Sequence, residues 1–308
     1  MNAPTPAPQT TLAETIKANP APTTTEVEIE PIKAIVMAPS GTGKTCLLAS
    51  LLSEGYNVRV MDFDDGIKSL RNLLIDDAKQ PSPAYAKDSL SRLRWAMLTE
   101  PMKVAGGRIF PIKASVWPRA VNLLEKWLVE DPRQGGTVDL GKVSDWGPND
   151  VLVFDTLSKL AQAAHNQHLA LNGQLGQAQS GNSHMRNIGA AQGLVSSLLD
   201  MIFDTSIKCN VILNTHITYS KEDGTMPAQG EEGALLFGYP KAIGRSIGPN
   251  IPTYFRDVLT LRKQGNTAKL VTKDDFVLGL KSCAPLRVAK EYKRETGLAE
   301  YFKAVRGA

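Results

Sequence analysis

The chain has 308 residues, 42% of them hydrophobic and 21% charged, which is ordinary globular composition and enough for one large α/β domain or two smaller ones. No stretch is long and apolar enough to span a membrane and the N-terminus lacks a signal-peptide core, so neither a membrane protein nor a secreted one is expected. The net charge of +4 is too mild to argue for nucleic acid by itself, though it permits a local basic patch. Cys46, Cys209 and Cys283 are widely spaced and odd in number, and read as reduced core thiols rather than disulfides or a zinc site.

Residues 1–27 are rich in Pro, Thr and Ala with almost no large apolar side chains, and read as a flexible tail. Residues 32–37 are almost continuously apolar, as a parallel strand buried on both faces should be. Then comes Ala38-Pro39-Ser40-Gly41-Thr42-Gly43-Lys44-Thr45, followed by Cys46 and a breaker-free helical run to residue 52. A glycine-rich turn between strand and helix lets successive backbone N–H groups close around a phosphate. Lys44 would reach the β- and γ-phosphates, and the Thr45 hydroxyl would ligand Mg²⁺. The motif usually opens with Gly; here that position is Ala38.

Residues 57–61 predict a second strand ending in Asp62-Phe63-Asp64-Asp65-Gly66. Acids at the C-terminal edge of a parallel strand sit at the mouth of the sheet, and one of them, Asp64 ahead of Asp65, could polarise a water for attack on the γ-phosphate. The same residues equally suit a turn and a helix N-cap. Residues 76–149, within which an insertion is expected, carry a helix after Ser115 whose Trp117 and Trp127 read as packing residues.

Residues 151–156 run Val-Leu-Val-Phe-Asp-Thr, four apolar residues ending in an acid, and Asp155 is the metal-shell candidate. Thr156 either orients the nucleophile or caps the next helix. A helix to about residue 165, a polar loop over 166–182 and a long helix striped with Met185, Ile188, Val195, Leu198, Leu199 and Ile202 follow. His165, His168 and His184 read as exposed or loop histidines, not a metal cluster. Residues 211–216 form another buried strand, where Asn214, Thr215 and His216 either face the nucleotide or satisfy the strand end. A second loop is expected over 218–239, then Lys241 and Arg245, then strands over 254–262, 267–272 and 276–280 with a hairpin at 262–266. Residues 286–308 read as a helical tail.

This order of phosphate loop, acidic strand end, Asp-terminated strand, loop, long helix, polar-tipped strand, loop and β-rich end resembles the RecA-like ATPase core over roughly residues 30–285. It resembles most the compact phage ATPases of the Sak-type single-strand annealing and recombination group, the AAA_24 nucleotide-binding family. The resemblance implies an α/β fold with a mostly parallel central sheet flanked by helices and an antiparallel extension near the C-terminus, in a domain spanning 28–285. It implies ATP and Mg²⁺ as cofactors, with residues 38–46 on the phosphates, Thr45 and Asp155 on the metal, and Lys44, Asp64 and His216 as the catalytic set. The family usually carries Glu where Asp64 stands. It implies single-stranded DNA, a homo-oligomer in a ring or filament, DNA-stimulated hydrolysis and a possible single-strand DNA-binding or annealing partner, in the host cytoplasm. Lys241, Arg245, Arg262 and Lys263 are the DNA or inter-subunit candidates. A ring helicase, a packaging motor and an ATP-switched binding module remain alternatives.

Overall fold

The computed structural model describes residues 30–130, 135–178, 180–221, 236–265, 267–273 and 275–307. In chain order, β1 (Lys33–Met37) leads through a 3₁₀ turn at Thr45–Leu48 into α1 (Ala49–Ser53), β2 (Asn57–Asp62) and α2 (Ile67–Asp77). β3 (Leu93–Met97) is followed by the hairpin of β4 (Met102–Ala105) and β5 (Arg108–Pro111), then α3 (Val116–Glu125) and a second hairpin of β6 (Leu128–Glu130) and β7 (Thr137–Asp139). β8 (Asp150–Asp155), α4 (Leu157–Leu171), α5 (Gly181–Phe203), β9 (Asn210–Thr215) and the pair β10 (Ile217–Ser220) and β11 (Phe237–Pro240) come next. The chain closes with α6 (Ile251–Tyr254), β12 (Asp257–Gln264), β13 (Thr267–Val271), β14 (Glu291–Lys293) and α7 (Gly297–Arg306).

Eight strands form one sheet in the order β14-β13-β12-β1-β9-β8-β2-β3. From β12 to β3 every neighbour is parallel; β13 and β14 are antiparallel. Side chains alternate between faces, and both faces are covered, which is why β1, β8 and β9 need near-continuous apolar sequence. Ile35, Met37, Leu152 and Phe154 pack under α3, α4 and α5 on one face. Ala34, Val36, Val151 and Val153 pack under α1, α2 and α7 on the other. The expected α/β class, mostly parallel sheet and C-terminal antiparallel strands are all present.

Several boundaries differ from expectation. The loop expected over 166–182 is shorter, because α4 runs on to Leu171. No Gly or Pro interrupts residues 166–171, buried Leu169 extends the apolar face, and Gly173, at φ 64°, lies just beyond the helix end. His165, His168 and His184 therefore lie on α4 and α5, buried or half-buried, rather than on a loop. The loop expected over 218–239 begins and ends in the paired strands β10 and β11, and its residues 222–235 lie outside the described residues, as does the expected tail over 1–27. Residues 276–280 are a turn, not a strand: Leu278 N–H donates to Asp275 Oδ1 at 3.1 Å and Gly279 has φ 56°. β13 pairs instead with β14, so the stretch expected as a helical tail supplies a sheet strand and a core helix. The region within which an insertion is expected also contributes to the sheet, through β3. Trp117 and Trp127 are buried, Trp127 edge-on to Trp146 with centroids 5.1 Å apart.

Candidate nucleotide site

β1 ends at Met37, and the chain then turns over the C-terminal edge of the sheet. Ala38 N–H donates to Thr215 O, tying the loop to β9. Gly41 and Gly43 sit at φ 75° and 92°, backbone that a side chain would strain, which accounts for glycine at both positions. Thr42 Oγ1 donates to Pro39 O at 2.8 Å and braces the loop from inside. Lys44 is buried, and its Nζ donates to the carbonyls of Ala38 and Pro39, both at 2.9 Å. Burial lowers its pKa, and nearby Asp155 and Asp64 work against that.

Thr45 Oγ1 donates to Asp155 Oδ2 at 2.5 Å. Asp155 stands at the tip of β8 with its carboxyl pushed up to about 6 by burial; the bond from Thr45 pulls it back. Its peptide bond to Thr156 is cis. The Thr156 hydroxyl makes no cap to α4 and donates instead to Asp64 Oδ2 at 2.8 Å. His216, just past β9, brings Nδ1 within 3.4 Å of Lys44 Nζ and Nε2 within 3.8 Å of Asp64 Oδ2. Burial and then Lys44 lower the His216 pKa, favouring the neutral ring.

The acids after β2 divide the work that sequence could not assign. Asp62 is fully buried and accepts backbone N–H bonds from Asp64, Gly66 and Ile67, so it caps α2 and fixes the turn. Asp64 is the acid that lines the cleft, whereas Asp65, at φ 59°, pairs with Lys68 on α2 and does not line it. Asn214 lies in register beside Asp155, while Thr215 donates to His216 O and serves the strand end. The half-buried Cys46 forms part of the wall, its thiol pushed up by burial.

The four basic candidates do not converge. Arg262 is bound to Asp275, while Lys263 lies on the rim of this chain's own cleft. Lys241 is near enough to depress His216, and Arg245 is exposed four residues on. The charged cleft residue that the sequence pattern did not point to is at the far end of the chain. Arg294, beyond β14, stands in the wall beside Gly43. Its surroundings in sequence are an undistinguished alternation of charge, so only the chain's return to the sheet reveals it. The cleft encloses about 670 Å³, room for a nucleoside triphosphate.

Among solved structures the chain is similar to the RadB recombinase at 15% identity, covering 80% of this chain and 84% of that one with a TM-score of 0.39. It is similar also to an ATPase from the type III secretion system of pathogenic bacteria at 14% identity, covering 76% of this chain and 53% of that one with a TM-score of 0.40. No curated protein matches the chain. The AAA_24 family model, an AAA domain, matches residues 30–261, a span that takes in the phosphate loop, Asp64, Asp155 and His216. The chain belongs to the AAA_24 family and is a P-loop ATPase of the AAA type.

Proposed function

We propose that this protein hydrolyses ATP with Mg²⁺ in the cleft above β1, β2, β8 and β9, and does so bound to single-stranded DNA as a homo-oligomer in phage recombination or replication. The observation that carries the reading is the convergence of Lys44, Thr45, Asp155 and the Asp64–Thr156 pair on one cleft from three separate strand ends. The Thr45 hydroxyl touching the Asp155 carboxylate is a pair of hard oxygen donors, as Mg²⁺ requires. A Cβ at Gly66 would stand only 3.0 Å from that hydroxyl, so the chain keeps the space beside it free. When bound there, Mg²⁺ would neutralise charge on the phosphate oxygens.

Lys44 exchanges the Ala38 and Pro39 carbonyls for phosphate oxygens. Asp64, oriented by Thr156, takes up the proton of the attacking water, and neutral His216 reads the γ-phosphate from the neighbouring strand tip. Lys241 and Arg245, after β11, are the proposed DNA-backbone contacts, and a single-strand DNA-binding or annealing protein is the proposed partner.

The test is ATP hydrolysis by wild type and Lys44→Ala, each with and without single-stranded DNA. Severalfold stimulation of wild type by DNA and loss of turnover in the variant support the reading. Turnover indifferent to DNA and RNA removes its nucleic-acid half. A second reading, an ATP-switched binding module with little hydrolysis, draws on Asp64 itself, which is one methylene shorter than Glu and already bonded to Thr156. It predicts nucleotide-driven assembly with little phosphate release.

A further inference from the structure

The cleft has two ends. Lys44 Nζ, Thr45, Asp64, Asp155 and His216 mark the end where the γ-phosphate and metal would lie. The Gly43–Cys46 end is the part of such a loop whose backbone N–H groups take the α- and β-phosphates. Two cations in the cleft wall are left unused by the roles above, Lys263 and Arg294, and Arg294 stands at this second end.

Arg294 is brought there by the fold. Its backbone N–H donates to Ala268 O at the start of β13, and Ala268 is the register partner of Lys263 at the end of β12. The corner of the antiparallel extension therefore overhangs the phosphate loop. The side chain lies across Gly43: Cδ and Nη1 are 3.4 and 3.5 Å from where a Gly43 Cβ would be. It is close enough to Cys46 to act on its thiol. Nη2 donates to Glu295 Oε1 at 2.8 Å, while Nε is enclosed with no hydrogen-bond partner among the described residues. An arginine with one edge pinned, an unused donor and its remaining edge over a phosphate loop is built to meet an anion.

We infer that Arg294 is a nucleotide-binding residue supplied in cis by the C-terminal segment, contacting the part of the ligand that ATP and ADP share. The inference rests on the nucleotide reading of the cleft. Because the contact is the same before and after the γ-phosphate leaves, it is uniform binding: it sets affinity and not the rate at saturation.

The experiment titrates ADP into wild type, Arg294→Ala and Arg294→Lys, with thermal melting of each and steady-state ATP hydrolysis alongside. Expected for Arg294→Ala is a loss of ADP affinity of about tenfold or more and a matching rise in KM, with kcat kept within about twofold. Arg294→Lys, which keeps the charge and loses the fork, recovers part of the affinity and stands in if the alanine variant does not fold. ADP affinity within about twofold of wild type in both variants overturns the inference and leaves Arg294 a fold contact. A fall in kcat at unchanged KM overturns it too, by moving the residue to the γ end. Wild type that binds neither ADP nor ATP defeats the nucleotide reading itself, a result separable from an indifferent Arg294.

Discussion

A methyl group at Gly66 would meet Thr45 Oγ1 at 3.0 Å and Asp155 Oδ2 at 3.5 Å, although φ of −72° at this residue is open to any side chain. Gly66→Ala should therefore disturb the hydroxyl–carboxylate pair without straining the backbone. The expected outcome is a severalfold higher Mg²⁺ concentration for half-maximal hydrolysis, read from a metal titration at saturating ATP. The three neighbouring acids should separate just as cleanly. Asp62→Ala leaves three backbone N–H groups of a partly buried turn without their acceptor and should cost about 1–3 kcal/mol in urea unfolding. Asp64→Ala should keep that stability and lose turnover by about 100-fold or more, the usual scale for a general base. Asp65→Ala, which removes an exposed ion pair with Lys68, should do neither.

Among the elements, α7 ties the C-terminal segment to the sheet. Tyr301 and Phe302 are fully buried, and Tyr301 OH donates to Asp257 Oδ1 at 2.6 Å at the foot of β12. Phe302→Ala should cost about 3–5 kcal/mol by the cavity it leaves, measured by denaturant unfolding. Because α7 packs against α1, directly behind the phosphate loop, nucleotide affinity should weaken with it. The approach to β9 carries a pH signature. Burial pushes the Cys209 thiol from 9.0 up to about 12, with Asp150 adding to the rise. A raised pKa in the folded state stabilises fully below the unfolded value and is lost as pH climbs towards the folded one. Stability should fall between about pH 9 and 12, more steeply in wild type than in Cys209→Ala, when urea midpoints are compared across that range.

For the whole molecule, the antiparallel corner of β12, β13 and β14 decides where the site ends. Lys263 and Arg294 are held over this chain's own loop by that corner, while Arg262, one residue before Lys263 and on the opposite face of its strand, is bound to Asp275. Lys241 and Arg245 are the candidates proposed for DNA or a second subunit. Sedimentation of the full chain with a slowly hydrolysed ATP analogue and single-stranded DNA should show assembly in wild type. It should show a weaker, less salt-sensitive one in a Lys241→Ala, Arg245→Ala double variant, because fewer phosphates are neutralised.

Local sequence determined the strands β1, β8 and β9, because strands buried on both faces must be apolar throughout, and it determined the phosphate loop, because only glycine serves at Gly41 and Gly43. It also picked out Asp155 as a strand-end acid. What it could not assign was work shared between distant residues. That Asp64 is held at the cleft involves Thr156, 92 positions away. That residues 291–306 join the sheet and core, and bring Arg294 to Gly43, depends on β13 choosing β14 over the nearer stretch 276–280, which Asp275 and Gly279 fold into a turn. Pairing partners at that separation leave no periodic trace in the chain: Glu291-Tyr292-Lys293 is charged and largely exposed, less strand-like in sequence than the apolar stretch 276–280, and only the closed sheet selects it.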